Sequence, residues 1–265
     1  MIYIGHNIKK KLKGDKMKII PNIPAAVKLL GDVKYFNKNK ARIEAAKAAG
    51  DFEEERKWIL DSTATFGPMI MGQFGVDLHV HGEENIPDKG PVVIISNHQG
   101  YADIPVMFAV FRKFQFGFIA KKYLAKIPLY GPWMPRIRSV FIENDDPRES
   151  LKAITRGIEY INDGFSMAIC PEGTRSKSST VGPFMKGAIK LATKPQVPIV
   201  PVALNGTYRM YEETGVVTGC RIDVKVFPPI ETKGLSRQEE KQLTEQLEEM
   251  IRDGVDELVR LQEEE

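Results

Sequence analysis

The 265-residue chain is 42% apolar and 28% charged, the balance of a folded globular protein rather than a disordered one. No stretch approaches the roughly 20 apolar residues that span a bilayer, and no charged-apolar-small leader opens the chain, so the expectation is a cytoplasmic protein. Two cysteines, Cys170 and Cys220, are too few for a disulfide framework and form no Cys-x-x-Cys pair, and the net charge of +3 is too mild to favour nucleic acid.

The charge is unevenly spread. Residues 1–18 carry six lysines (Lys9, Lys10, Lys11, Lys13, Lys16 and Lys18) against Asp15, whereas residues 231–265 carry twelve acids against five bases. A basic front and an acidic back fit an oriented contact with an anionic partner such as a phospholipid surface. Two solvated tails would have the same composition.

From Pro24 to Phe74 the spacing predicts two helices broken near Ala49-Gly50-Asp51. Ala26, Leu29, Leu30, Val33 and Phe36 recur at helical spacing in the first, which Lys28, Lys34, Lys38, Lys40, Arg42 and Lys47 make cationic. In the second, Phe52, Ile59, Phe66, Ile70 and Phe74 form a stripe beside Trp58, Met69 and Met71, and Pro68 is expected to kink or break it. Basic residues, bulky aromatics and stripes too short to span are the marks of an interfacial membrane element. The same stripes also fit a helical cap packed on the main domain.

Beyond Val76, strands and helices alternate. Strands are expected at 76–80, 92–95, 116–120, 139–142, 165–170, 199–204 and 221–227, and helices near 104–111, 148–162 and 185–193. A last helix opens at Ser236, where Glu239 completes a capping box. The near-continuous apolar strands predict an α/β fold, a mostly parallel central sheet flanked by helices. The expected division is a basic leader and helical hairpin over 1–75 and an α/β domain over 76–265.

Three of these strands end in polar clusters: Asn97-His98 through Asp103, Lys121-Lys122, and Pro171-Glu172-Gly173-Thr174-Arg175. If the strands are parallel, the clusters share one rim, where open α/β sheets bind ligands. His98 and Asp103 are five apart, which suits a strand-turn-helix arrangement better than one helix face. Asp103 at the start of a helix would accept a hydrogen bond from one ring nitrogen and leave the other free as a base. A plain helix N-cap is the simpler role for Asp103. Arg175 offers a planar fork for a phosphate, Gly173 allows close backbone approach, and Glu172 fits a supporting role, holding a helix or Arg175. Cys170 reads as an inert strand thiol. A rival set of metal ligands would combine His98 and Asp103 with His79 and His81, which otherwise read as ordinary strand histidines.

At these residues the chain resembles the glycerolipid acyltransferase family. Asn97-His98-x-x-x-x-Asp103 matches that family's first motif, Glu172-Gly173-Thr174-Arg175 its third, and Val197-Pro198-Ile199-Val200-Pro201-Val202-Ala203 its fourth. The second fits in part: Lys121, Leu124, Gly131 and Phe141-Ile142 are in place, but Asn144 stands where many members carry arginine. Arg136, Arg138 or Arg175 is left to compensate.

The resemblance implies transfer of a fatty acyl group from acyl carrier protein or coenzyme A to the 2-hydroxyl of lysophosphatidic acid. His98 would be the base and Asp103 its orienting partner. Lys121 and Arg175 would bind the phosphate, and Glu172, Gly173 and Thr174 would support the site. Backbone amides or a polar side chain would hold the oxyanion, with no metal or cofactor. It also implies a peripheral position at the cytoplasmic face of the membrane, where the hairpin meets anionic lipid. Glycerol 3-phosphate and lyso-amino-lipids are alternative acceptors.

Overall fold

The computed structural model describes residues 19–127, 130–142 and 146–264. The six lysines of residues 1–18 and Asn144 lie outside the described residues. All seven expected strands are present, each within one residue of its expected ends: β1 (Asp77–His81), β2 (Val93–Ser96), β3 (Phe116–Lys121), β4 (Val140–Ile142), β5 (Ser166–Ile169), β6 (Ile199–Asn205) and β7 (Arg221–Val226). They form one sheet in the order β1-β7-β6-β2-β5-β3-β4. Every pairing is parallel except β6 with β7. Strands β2, β5 and β6 are buried along their whole length, which is why their sequences run apolar without alternation.

Around the sheet lie α1 (Ile19–Gly31), α2 (Val33–Phe36), α3 (Lys40–Ala49), α4 (Phe52–Phe74), α5 (Asp103–Val110), α6 (Tyr130–Arg136), α7 (Pro147–Asn162), α8 (Lys190–Thr193) and α9 (Arg237–Glu264). The break at 49–51 occurs as expected, and α4 restarts because Asp51 accepts a hydrogen bond from Glu54 N at 3.0 Å. The capping box also forms, with Ser236 N donating to Glu239 at 2.7 Å and Glu239 N to Ser236 Oγ at 3.3 Å.

Three expectations are corrected. The first predicted helix is three pieces, interrupted at Asp32 and again before Asn39, which adopts a left-handed conformation that asparagine tolerates. Pro68 does not end α4, which runs on to Phe74. The helix expected over 185–193 is regular only from Lys190, and α6 forms through a proline-rich stretch that carries no helical signal in the sequence.

Much of the hairpin's apolar stripe faces inward. Phe36 and Phe66 are buried against Trp133, with ring centroids 5.2 and 5.1 Å away, and Phe66 also meets Phe108 of α5. On this point the cap reading holds for α4. Several of its cations are engaged within the chain as well: Lys38 pairs with Asp61 at 3.1 Å, and the Arg42 guanidinium lies 4.1 Å from the Trp58 ring centroid. The apolar face left exposed belongs to α1, where Ile20, Ile23 and Val27 point outward and Ala25, not Ala26, is buried.

Helices α4 and α5 touch backbone to backbone at Gly67. A methyl group there would overlap Ala109 N and the Phe108 carbonyl carbon. Alanine gains about 1 kcal/mol over glycine in a helix interior. Overpacking against immovable backbone costs about 1–3 kcal/mol and wins. Gly67→Ala is therefore expected to lower stability, read as a lower urea midpoint; an unchanged or raised midpoint would contradict the close approach.

Candidate active site

Strands β2, β5 and β3 are neighbours and run in one direction, so the three polar clusters at their carboxyl ends do share a rim. They line a cavity of about 750 Å³ containing His98, Asp103, Lys121, Glu172, Gly173, Thr174 and Arg175 together. Much of its wall is apolar, with Ile104, Met107, Phe118, Leu124, Ile154 and Ile169 among the lining residues.

His98 follows β2, and its Nδ1 lies 2.6 Å from Asp103 Oδ2. Asp103 is the first residue of α5 and is buried. It does not cap that helix. Its carboxylate instead accepts from the amides preceding it, Gln99 N at 2.9 Å and Gly100 N at 3.2 Å, and from Thr207 Oγ1 at 2.5 Å. With the carboxylate accepting on so many sides, Nδ1 of His98 is the ring nitrogen placed to donate to it. The opposite ring nitrogen, Nε2, is then the one placed to accept a proton.

Glu172 supports the histidine from the other side. Its Oε1 accepts from His98 N at 2.7 Å and its Oε2 from Gly182 N at 2.8 Å. Burial pushes this carboxyl above its ordinary value, and the two amides offset part of that rise. These bonds reach the His98 backbone rather than Arg175. Gly173 sits at φ +65, a turn conformation open to glycine. Thr174 is exposed at the cavity.

Arg175 is held by a residue that sequence reasoning missed. Glu212 accepts from Arg175 Nη1 at 2.6 Å and from Tyr101 N at 2.8 Å, while the guanidinium lies 3.8 Å from the Tyr101 ring centroid. Burial pushes the Glu212 carboxyl up as well, and Tyr101 N and Arg175 pull it back. Thr207 was missed too. Both follow the end of β6, a fourth strand reaching the same rim, and that position was the only available signal.

Other sequence candidates fall elsewhere. Arg138 is buried against Glu55, and Arg136 donates to Phe36 O at 3.0 Å; only Arg175 of the three possible compensating arginines lines the cavity. His79 pairs with Asp77 and His81 with Asp223 on edge strand β1, with β7 and β6 between it and β2. Neither joins His98, so the metal-ligand set is not assembled there. Cys170 lines the cavity, but burial pushes its thiol up, away from a reactive thiolate.

A family model described as acyltransferase matches residues 77–205. The chain is 34% identical over 154 residues to a chloroplastic 1-acyl-sn-glycerol-3-phosphate acyltransferase of Brassica napus, covering 57% of this chain and 44% of that protein. It thus spans less than half of that relative's length. It is 31% identical over 168 residues to the 1-acyl-sn-glycerol-3-phosphate acyltransferase of Borreliella burgdorferi, covering 63% of this chain and 67% of that one. The crystal structure of the 1-acyl-sn-glycerophosphate acyltransferase PlsC from Thermotoga maritima superposes with a TM-score of 0.67 at 29% identity, covering 88% of this chain and 97% of that one. At 31% identity over 67% of the Borreliella burgdorferi enzyme, and with the segment that the family model matches enclosing His98, Asp103, Glu172 and Arg175, the chain belongs to the acyltransferase family.

Proposed function

We propose that the protein transfers a fatty acyl group from an acyl carrier protein or coenzyme A thioester to the sn-2 hydroxyl of lysophosphatidic acid, making phosphatidic acid for phospholipid synthesis. The observation that carries this reading is one cavity combining the His98–Asp103 pair, two cations suited to phosphate, and an apolar wall suited to an acyl chain. The activities for which the relatives are named agree with it.

In this reading Nε2 of His98 accepts the proton of the acceptor hydroxyl as its oxygen attacks the thioester carbonyl. Asp103 stabilises the imidazolium that forms. The tetrahedral intermediate then collapses, the carbon–sulfur bond breaks, and His98 returns the proton to the departing sulfur. Lys121 and Arg175 bind the glycerol phosphate and so hold the hydroxyl within reach, where much of the rate gain arises. The reaction balances with no metal or cofactor.

The place of action proposed is the cytoplasmic face of the membrane, reached peripherally. Among the described residues no helix is long and apolar enough to cross a bilayer, and α1 exposes an apolar stripe. Residues 1–75 would seat the protein and residues 76–265 would carry the chemistry.

An acceptor panel with radiolabelled acyl donor tests the function. Lysophosphatidic acid is expected to be acylated fastest; preference for glycerol 3-phosphate or a lyso-amino-lipid would replace it as acceptor. Removing a hydrogen bond to a charged group costs about 1.5–3 kcal/mol, so Arg175→Ala should raise the acceptor KM roughly 10- to 100-fold. Glu212→Gln should raise it less, by loosening the guanidinium. Varying the acceptor at fixed donor checks both; an unchanged KM in Arg175→Ala would remove that residue from the phosphate site.

A further inference from the structure

Asp103 is held from two directions. His98 Nδ1, Gln99 N and Gly100 N all lie within five residues of it along the chain, so their bonds fix its carboxylate relative to its own loop. Thr207 comes from elsewhere. Strand β6 ends at Asn205, Gly206 at φ +97 turns the chain, and Thr207 opens a short 3-10 turn with its hydroxyl 2.5 Å from Asp103 Oδ1. Strand β6 pairs with β2, which delivers His98, so this bond ties the carboxylate to the sheet. Thr207, Gln99 and Asp103 are all buried.

The Thr207 hydroxyl has a second neighbour, Gln99 Oε1 at 3.2 Å. Which end of that amide faces Thr207 is decided by groups that can only donate. Gly206 N meets Gln99 Oε1 at 3.0 Å, which makes that atom the carbonyl oxygen. From the far side, Arg209 Nη1 marks Gln262 Oε1 as an oxygen at 2.8 Å, and Asn205 Nδ2 donates to the same atom at 3.0 Å. Asn205 Oδ1 is thereby turned to accept from Ser179 Oγ at 2.9 Å and from Gln99 Nε2 at 3.5 Å. The two ends of the chain agree. Gln99 presents an oxygen, so the single hydroxyl proton of Thr207 faces two acceptors and goes to the nearer, charged one, Asp103.

A carboxylate turns readily about its Cβ–Cγ bond. In the reading proposed above, Asp103 Oδ2 must stay in line with His98 Nδ1 while the imidazole takes a proton and becomes charged. A bond from the sheet to the other oxygen resists that turn. Thr207 does not line the cavity, so its effect passes through Asp103.

We propose that Thr207 is a positioning residue for acyl transfer. Its hydroxyl, oriented by the Gln99–Asn205–Gln262 amide chain, holds Asp103 in the rotamer that serves His98. This rests on the assignment of His98 as base.

Valine and serine separate the hydroxyl of Thr207 from its methyl group. Thr207→Val keeps the shape and removes the donor. It should lower kcat for transfer to lysophosphatidic acid roughly 10- to 100-fold, the range for a lost hydrogen bond to a charged group, with acceptor and donor KM within about twofold of wild type. Thr207→Ser keeps the donor and should retain kcat within about threefold. Added to Asp103→Asn, Thr207→Val should lower kcat by less than about threefold more, because the charge it steadies is already gone. Wild-type kcat in Thr207→Val overturns the proposal. So does Thr207→Ser falling as far as Thr207→Val, the mark of a packing role, and so do losses that multiply in the double variant. If Thr207→Val does not fold, Thr207→Ala lacks the same hydroxyl and carries the same comparison with Thr207→Ser. His98→Ala, assayed beside them, distinguishes the two readings. An active His98→Ala ends the assignment of the base and this proposal with it, whereas an inactive one beside a fully active Thr207→Val ends this proposal alone.

Discussion

His98→Ala and Asp103→Asn are each expected to lower kcat for acyl transfer to lysophosphatidic acid by roughly three to four orders of magnitude. Alanine removes the ring placed to take the hydroxyl proton within the proposed site. Asparagine keeps the volume of Asp103 but changes which nitrogen of His98 carries its proton. Its amide nitrogen donates, so facing Nδ1 it favours the tautomer with Nε2 protonated, and the base is lost. The alternative rotamer turns the amide oxygen to Nδ1 and brings the amide nitrogen toward the Thr207 hydroxyl, at the cost of the charge that stabilises the imidazolium. Stability should fall less than activity, because His98 is only half-buried and Asp103→Asn is nearly isosteric. Steady-state kinetics beside far-UV circular dichroism separates the two effects. Turnover within tenfold of wild type in either folded variant would end the assignment of His98 as base.

Glu55→Ala should destabilise the fold by about 3–5 kcal/mol, because it leaves the buried Arg138 guanidinium without its counter-charge. Glu55 on α4 is fully buried, and Arg138 Nε donates to it at 2.7 Å with a second bond from Nη2. Phe165, Tyr160 and Phe52 surround the guanidinium, with centroids 4.5, 4.9 and 5.5 Å away. Arg138 also sits at φ +64, so its side chain is delivered by a turn that the pair helps to hold. By contrast, the exposed Lys57–Glu54 pair of the same helix contributes less than about 1 kcal/mol. At about 2–4 °C per kcal/mol for a chain of this size, Glu55→Ala should melt roughly 10 °C lower. Glu55→Leu with Arg138→Met should recover most of the loss, since replacing both charges removes the desolvation problem. A shift of less than a degree in Glu55→Ala would mean that water reaches the guanidinium.

The strands were readable because apolar runs bounded by turns have few other solutions in a chain of this size. Reading their ends as one rim needed only that they be parallel. The first helix was less readable: nothing in its local pattern shows that Asn39 turns left-handed or that α4 needs its stripe for Trp133 and Phe108. The same ambiguity hid which apolar residues remain for a membrane. An amphipathic stripe looks alike whether it faces a core or a lipid, and only the packing partner distinguishes them.

The sequence by itself determined the α/β class, the strand positions and the chemistry of the first rim: a histidine and an aspartate five apart, then a glutamate–glycine–threonine–arginine turn. These are local properties, set by residue type and short spacing. Tertiary structure alone decided that Thr207 braces Asp103 from 104 residues away and that Glu212 grips Arg175 from 37 away. It also decided that Arg138 serves the core rather than the cavity. Such contacts depend on where the chain returns to the sheet, and no local pattern encodes the partner of a long-range hydrogen bond.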